Sequence, residues 1–424
     1  MTNSNNLVQE YYNIDFEQFD INNFTPIKQK LLQENYQKNI FDINNRAKNY
    51  LNNSLEIAQE ISDKYQNLVI CGMGGSSLGA KALCGTKFFD LNYKKTDKNI
   101  YFLDNIHHQN LHEFLQDLPF ENTAFLLISK SGNTIETICQ ALTIIDFYKA
   151  LLAKNNAQNL YFITQKNLIK NSLAKIADNL KRPIITHEND VGGRYSCFSE
   201  VALIGAKFFG FDIEKYLLGG QKIMSNFINS NNDTIEKGVY FLQESQKKQL
   251  NIQIAMPYIA RLYHFNYWYN QLLSESIGKN NQGITLLKAM GSVDQHSVLQ
   301  LFLDGPKDKF FTFLTTSNIN KGNNLIVPNY LKDDLSYLIN NKLGDVINAN
   351  QEATIKTIID KNYLTRRFNI YELNEYNIGQ LMMHFMIETI FYAYIINTNP
   401  FDQPAVEKGK IDAKNILTKI KNYK

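Results

Sequence analysis

A chain of 424 residues is too long for one small core, and at roughly 100 to 200 residues per domain it points to two or three domains, two being preferred. With 44% hydrophobic and 12% aromatic residues it carries enough apolar surface for sizeable buried cores, which excludes a disordered chain. Lys+Arg 44 against Asp+Glu 41 leaves a formal charge of +3, evenly spread; this argues against nucleic-acid and membrane partners and confines any anion site to a local cluster.

From residue 5 to about 64 the sequence is polar with scattered apolar positions, and 47–61 has helical spacing. The reading is an N-terminal helical arm, 1–45. Four short apolar runs follow: 67–71 (NLVIC), 100–103 (IYFL), 123–128 (TAFLLI) and 160–164 (LYFIT). Each precedes a stretch long enough for a helix, such as 76–84 and 134–150, and that alternation predicts a parallel sheet with covering helices over 46–215.

A second α/β block, 216–395, repeats the theme less cleanly, with candidate strands at 253–256, 284–290 and 310–315 (FFTFLT) and an aromatic helix from 258 to 269. The two blocks are candidate structural copies of one another. The apolar run 381–396 is interrupted by His384 and Glu388 and falls short of the roughly 20 residues needed to span a bilayer, so it reads as a buried helix. The tail, 396–424, opens with NPFDQP and ends in a basic helix. Cys71, Cys84, Cys139 and Cys197 form no CxxC pair, and the N-terminus has no basic-then-apolar signal pattern; both fit a reducing cytoplasm.

Six clusters carry candidate chemistry. Cys71-Gly-Met-Gly-Gly-Ser-Ser-Leu-Gly79 stands where a buried strand turns into a helix, and its glycines let backbone approach an anion at a helix N-terminus. It is neither a P-loop nor a G-x-G-x-x-G fingerprint, and a tight turn explains it equally well. Ser129-Lys130-Ser131-Gly132-Asn133-Thr134 groups three hydroxyls and an ammonium in one turn, as a phosphate requires; the plainer reading is an N-cap in which Ser131 or Thr134 serves only the backbone.

In Val191-Gly-Gly-Arg-Tyr-Ser196, two glycines bring Arg194 close to any ligand, and a guanidinium in a dry pocket stabilises an oxyanion. Gln271-Leu-Leu-Ser-Glu-Ser-Ile-Gly-Lys279 continues the aromatic helix, where apolar surroundings would raise the proton affinity of Glu275 toward that of a general base. Gly291-Ser-Val-Asp-Gln-His-Ser297 offers His296, and Phe401-Asp-Gln-Pro-Ala-Val-Glu-Lys-Gly-Lys410 sets Gln403 and Lys410 about two helical turns apart. A metal reading of His107, His108, His112 and Glu113 lacks a completing cluster elsewhere in the chain.

Taken in order from about Leu68 to Lys410, these segments resemble the glucose-6-phosphate isomerase family in its shorter bacterial form, through GGRYS, ESxGK, the QHS segment and FDQxxVExxK. The resemblance implies two sugar-isomerase (SIS) α/β domains, each a mostly parallel sheet covered by helices, and a homodimer. It implies reversible interconversion of glucose 6-phosphate and fructose 6-phosphate through a cis-enediolate, in glycolysis and gluconeogenesis, without metal or redox cofactor. By the same resemblance Glu275 is the proton-transferring base, Arg194 steadies the enediolate, and His296, from the neighbouring subunit, opens the ring with Lys410. Ser129, Lys130, Ser131 and Thr134 hold the phosphate, and Gly75, Ser76, Gln271 and Gln403 line the sugar pocket.

The sequence departs from the family pattern at Cys197 to Glu200 and at Ala405, which leaves open a dual phosphoglucose and phosphomannose isomerase. A sugar-phosphate-sensing SIS protein would need the phosphate loops but not the set Glu275, Arg194, His296 and Lys410.

Overall fold

The computed structural model describes residues 7–35, 38–87, 97–166 and 169–421. Two five-stranded sheets organise them. The first has the order β3-β2-β4-β5-β6, built from β2 (Asn67–Cys71), β3 (Asn99–Leu103), β4 (Thr123–Ile128), β5 (Leu160–Thr164) and β6 (Ile184–Thr186), all parallel. β2, β4 and β5 are buried at every position, which is why they read as continuous apolar runs rather than alternating ones.

The second sheet has the order β1-β10-β9-β7-β8, from β1 (Val8–Tyr12), β7 (Ile252–Pro257), β8 (Thr285–Lys288), β9 (Lys309–Thr315) and β10 (Thr365–Asn369). Its strands are parallel except β1, which pairs antiparallel with β10. Apart from that edge, the two strand orders share one winding: the first strand flanked by the second and third, with later strands added outward. The expected helical arm therefore begins as a strand. Val8, Tyr11 and Tyr12 favour a pleated surface and cap the free edge of β10, and helices Thr25–Asn35 and Ile43–Lys64 follow.

The expected apolar run lies in the helix Glu375–Ile395, buried along almost its whole length. Its two polar interruptions are paired internally. Glu388 meets Arg366 of β10 at 2.5 Å and His384 at 3.1 Å. Among the described residues no helix is long and apolar enough to cross a membrane.

Candidate active site

The site forms where segments at the ends of buried strands meet the end of one helix. After β2 the chain turns directly into the helix Gly75–Gly85, with Gly74 at φ +55°, and a Cβ on Gly75 would lie 2.1 Å from the Gly193 carbonyl carbon. That approach admits only glycine and locks the first glycine-rich turn onto the second. Ser196 fastens the contact, its hydroxyl lying 2.7 Å from Gly193 O and 3.3 Å from Gly75 O.

Arg194 sits in the short helical turn Gly193–Phe198, 2% exposed. All five of its N–H donors are engaged. Nε donates to Ser276 Oγ at 3.0 Å; Nη1 donates to Glu275 Oε2 at 2.9 Å and to Gln403 Oε1; Nη2 donates to Pro400 O and to Asp402 O at 3.0 Å. Trp268 Nε1 donates to the Arg194 carbonyl at 3.2 Å, and Tyr195 Oη meets Ser276 Oγ at 2.7 Å.

Glu275 and Ser276 come from the helix Tyr263–Ile277, which starts five residues later than its aromatic run suggested because β7 extends to Pro257 and a loop intervenes. The helix buries Phe265, Trp268, Tyr269, Leu272 and Leu273 on one side. Glu275 faces the other. Its side chain keeps 31% exposure, and the surroundings of its carboxylate are polar rather than apolar: the guanidinium at Oε2 and Gln271 Nε2 at 3.0 Å from Oε1. Gln271 Nε2 also lies over Gly74, and Gln271 Oε1 is buried without a hydrogen-bond partner. A buried acceptor left unpaired beside a carboxylate is what a ligand hydroxyl would satisfy.

The 129–134 turn follows β4. Thr134 stands at the N-cap of the helix Ile135–Phe147 yet makes no capping bond; its hydroxyl lies 3.0 Å from Ser129 Oγ. The capping reading therefore fails for Thr134, while Ser131 Oγ accepts weakly from Asn133 N at 3.3 Å. Gly132 takes φ +65° against the Asn171 side chain. Lys130 Nζ donates to Asn189 O at 2.8 Å, spanning toward the Arg194 turn; burial lowers its proton affinity, Asp190 opposes that, and the nearby Arg194 charge adds to it.

Two expected residues are not brought to this cluster. His296 is exposed on the turn Val293–His296, and Lys410 pairs with Glu407 at 2.6 Å on the helix Glu407–Lys421. Every residue from 402 to 420 is exposed, so within one chain that helix has no surface to fold Lys410 against. Cys197, one of the departures from the family pattern, packs into the core 3.5 Å from Met386 Sδ. Among the described residues no group of three His, Cys, Asp or Glu side chains converges as a metal cage would; His112 instead meets Gln116 and the Phe147 ring.

Residues that sequence reasoning missed include Ser276, Tyr195 and Asp402. Pro400 and Asp402 act through backbone carbonyls, which leave no trace in residue type.

The family model for phosphoglucose isomerase matches residues 38–424. A glucose-6-phosphate isomerase of Campylobacter jejuni is 32% identical over 376 residues, covering 87% of this chain and 89% of its own. The crystal structure of a hypothetical protein from Thermus thermophilus superimposes with a TM-score of 0.83 at 26% identity, covering 93% of this chain and 95% of that one. A glucose-6-phosphate isomerase structure from Chlamydia trachomatis, at 20% identity, shares the fold with a TM-score of 0.72, covering 90% of this chain and 75% of that one.

Proposed function

The chain belongs to the phosphoglucose isomerase family and interconverts glucose 6-phosphate and fructose 6-phosphate, and we propose that Glu275 carries the proton between C2 and C1 while Arg194 receives the charge this creates. The observation that supports this most is the 2.9 Å contact between Arg194 Nη1 and Glu275 Oε2, a base and an oxyanion partner touching in one polar cluster.

The substrate phosphate anchors at Ser129, Lys130, Ser131 and Thr134, so that binding energy from a non-reacting group orients the distant carbons. The Thr134 hydroxyl, unused by its helix, supports that role. Gly75, Ser76, Gln271 and Gln403 line the sugar site, and the unpaired Gln271 Oε1 accepts from a sugar hydroxyl. In the open-chain aldose, Glu275 removes the C2 proton; the electron pair becomes the C1–C2 double bond of a cis-enediolate whose oxyanion faces Arg194. Glu275, whose carboxyl proton exchanges with solvent while the enediolate lasts, returns a proton at C1 as the O2 hydrogen passes to O1, giving the ketose.

Ring opening falls to Lys410 and to His296 of a second copy, within a homodimer. The exposure of His296, the bare helix Glu407–Lys421 and the exposed apolar side chains Ile326, Tyr330, Tyr337, Ile416 and Leu417 support such an assembly. The organisation is read as two SIS-type domains, 46–215 and 216–395, with arm 1–45 and tail 396–424; the shared winding of the two sheets supports it. The free thiols Cys71, Cys84 and Cys197, all buried, suit a reducing cytoplasm.

The test is a coupled assay following fructose 6-phosphate conversion, run with and without chelator, alongside mannose 6-phosphate. Chelator-insensitive turnover of the fructose ester, with deuterium entering the product from heavy water, is expected. Turnover with no exchange at either carbon would count against proton transfer through Glu275.

A further inference from the structure

Three of the five acceptors around Arg194 come from one short segment: the Pro400 and Asp402 carbonyls and the Gln403 side chain. From Asp402 onward that segment is exposed, so something must fix it. Phe401 rests on Tyr195 with ring centroids 5.7 Å apart, and Tyr195 Oη donates to Pro400 O at 3.0 Å, which holds the near end. The far end is held by charge. Lys279 Nζ lies 2.8 Å from Asp402 Oδ1 and also donates to Asn399 O. Asn399 Nδ2 donates to Asp402 Oδ2 at 2.9 Å, and Asn399 Oδ1 accepts from Phe401 N at 2.9 Å, closing a small hydrogen-bonded ring on the lysine.

We infer that Lys279 and Asp402 form a latch that positions Arg194, a role that rests on the proposed function. Lys279 stands four residues after Glu275, and Asp402 immediately precedes Gln403. One ion pair therefore ties the end of the carboxylate-bearing helix to the segment that supplies the guanidinium's acceptors. With the latch closed, Nη2 is held by two carbonyls and Nη1 can only face Glu275 and Gln403. With it open, the Asp402 carbonyl and the Gln403 amide are no longer held in place, Ser276, Pro400 and Glu275 alone remain on the guanidinium, and Nη1 drifts from the position where charge develops.

Two observations separate positioning from general stabilisation. Asp402 keeps 52% side-chain exposure against 12% for Lys279, so the carboxylate half of the pair faces solvent, where an ion pair contributes little to folding. The Lys279 ammonium beside Asp402 holds its carboxyl below the usual carboxylate range, so the latch is charged and closed at neutral pH.

The experiment compares Asp402→Asn, Lys279→Met, their combination and Asp402→Glu in the full chain, measuring kcat, KM for fructose 6-phosphate and the thermal midpoint. Each single variant should lower kcat about tenfold with KM within about twofold, because misorientation acts on the transition state. The double variant should be no worse than either single one, and Asp402→Glu should recover most of the rate. A rise in KM alone, losses that multiply in the double variant, a Glu variant no better than Asn, or a rate loss that simply follows a fallen midpoint would each overturn the latch. An active parent chain with undiminished Asp402→Asn turnover removes the latch alone, whereas a parent inactive on fructose 6-phosphate removes the functional reading beneath it.

Discussion

Replacing Glu275 with Gln separates chemistry from architecture, because the two effects differ in size. The carboxylate makes two hydrogen bonds, to Arg194 Nη1 at 2.9 Å and to Gln271 Nε2 at 3.0 Å. A glutamine keeps one carbonyl oxygen for Nη1, and its new amide N–H meets the Gln271 side chain, whose unpaired Oε1 can turn to accept it. What is lost is the charge on a bond that remains, about 1 kcal/mol of stability, which in a chain of this size shifts the midpoint by only about 2 °C. The catalytic loss is larger. A positioned base contributes about 10² to 10⁴ in rate, or about 3 to 5 kcal/mol of barrier. The assay is coupled turnover of fructose 6-phosphate together with deuterium exchange into the sugar, with inorganic phosphate binding as the control. Glu275→Gln should retain phosphate binding and its midpoint while turnover and exchange both disappear. Turnover within tenfold of the parent would refute the assignment, since no amide can accept the C2 proton.

Ser129→Ala and Thr134→Val should raise KM for the sugar phosphate by about tenfold each with smaller effects on kcat; an unchanged KM would leave the hydroxyl pair structural. The buried His187 imidazole is pushed down to about 4, chiefly by burial, with Lys130 adding to the effect and the Glu188 carbonyl opposing it. Its neutral form is the folded form, so the stability it contributes is complete above its ordinary value near 6.5 and is lost as pH falls toward about 4. The midpoint should drop over that window by the equivalent of about 3 kcal/mol, and His187→Gln should flatten the profile; an identical profile in the variant excludes His187 as the cause. For the dimer, His296→Asn and Glu275→Gln chains, each inactive, should recover about one quarter of parental activity when co-refolded one to one, because half the dimers then hold one intact site. No recovery would confine His296 to its own chain or to no catalytic role.

β2, β4 and β5 of the first sheet were legible because both of their faces are covered, which writes burial into sequence as an uninterrupted apolar run. β10 was not, and the reason is visible in its composition. Its sequence TRRFN carries Arg366 and Arg367, whose charges are answered by Glu388 and by Glu352 at 2.6 Å, residues far away in sequence. β6 spans three residues, too few for a pattern, and β1 mixes glutamine and glutamate with its aromatics at an edge where one side faces solvent. Among the site residues, Arg194, Glu275, Gln271 and Gln403 were named from motifs and do meet in one cluster. The partners of Arg194 were not legible, since two are peptide carbonyls and Ser276 is one serine among many. The environment of Glu275 was misjudged because an aromatic run implies an apolar helix but not which side of it a given residue occupies.

The saturation of Arg194 constrains how the reaction runs. Four of its five acceptors are neutral: a serine hydroxyl, two peptide carbonyls and a glutamine amide. Only Glu275 carries charge. Glu275 is the only counter-charge among the acceptors of this buried guanidinium, so an oxyanion is best received where negative charge leaves the carboxylate in the same step. Proton transfer resolves this without added charge. As Glu275 takes the C2 proton its carboxylate becomes neutral in the same step in which the enediolate becomes negative, and Nη1 exchanges one anion for the other while Nη2 and Nε keep their partners. The charge beside the guanidinium is constant from reactant to intermediate, and the reorganisation that a pocket would otherwise undergo is already present in the resting contact. It follows that the base and the guanidinium touch before substrate arrives because each supplies what the other lacks in one half of the reaction.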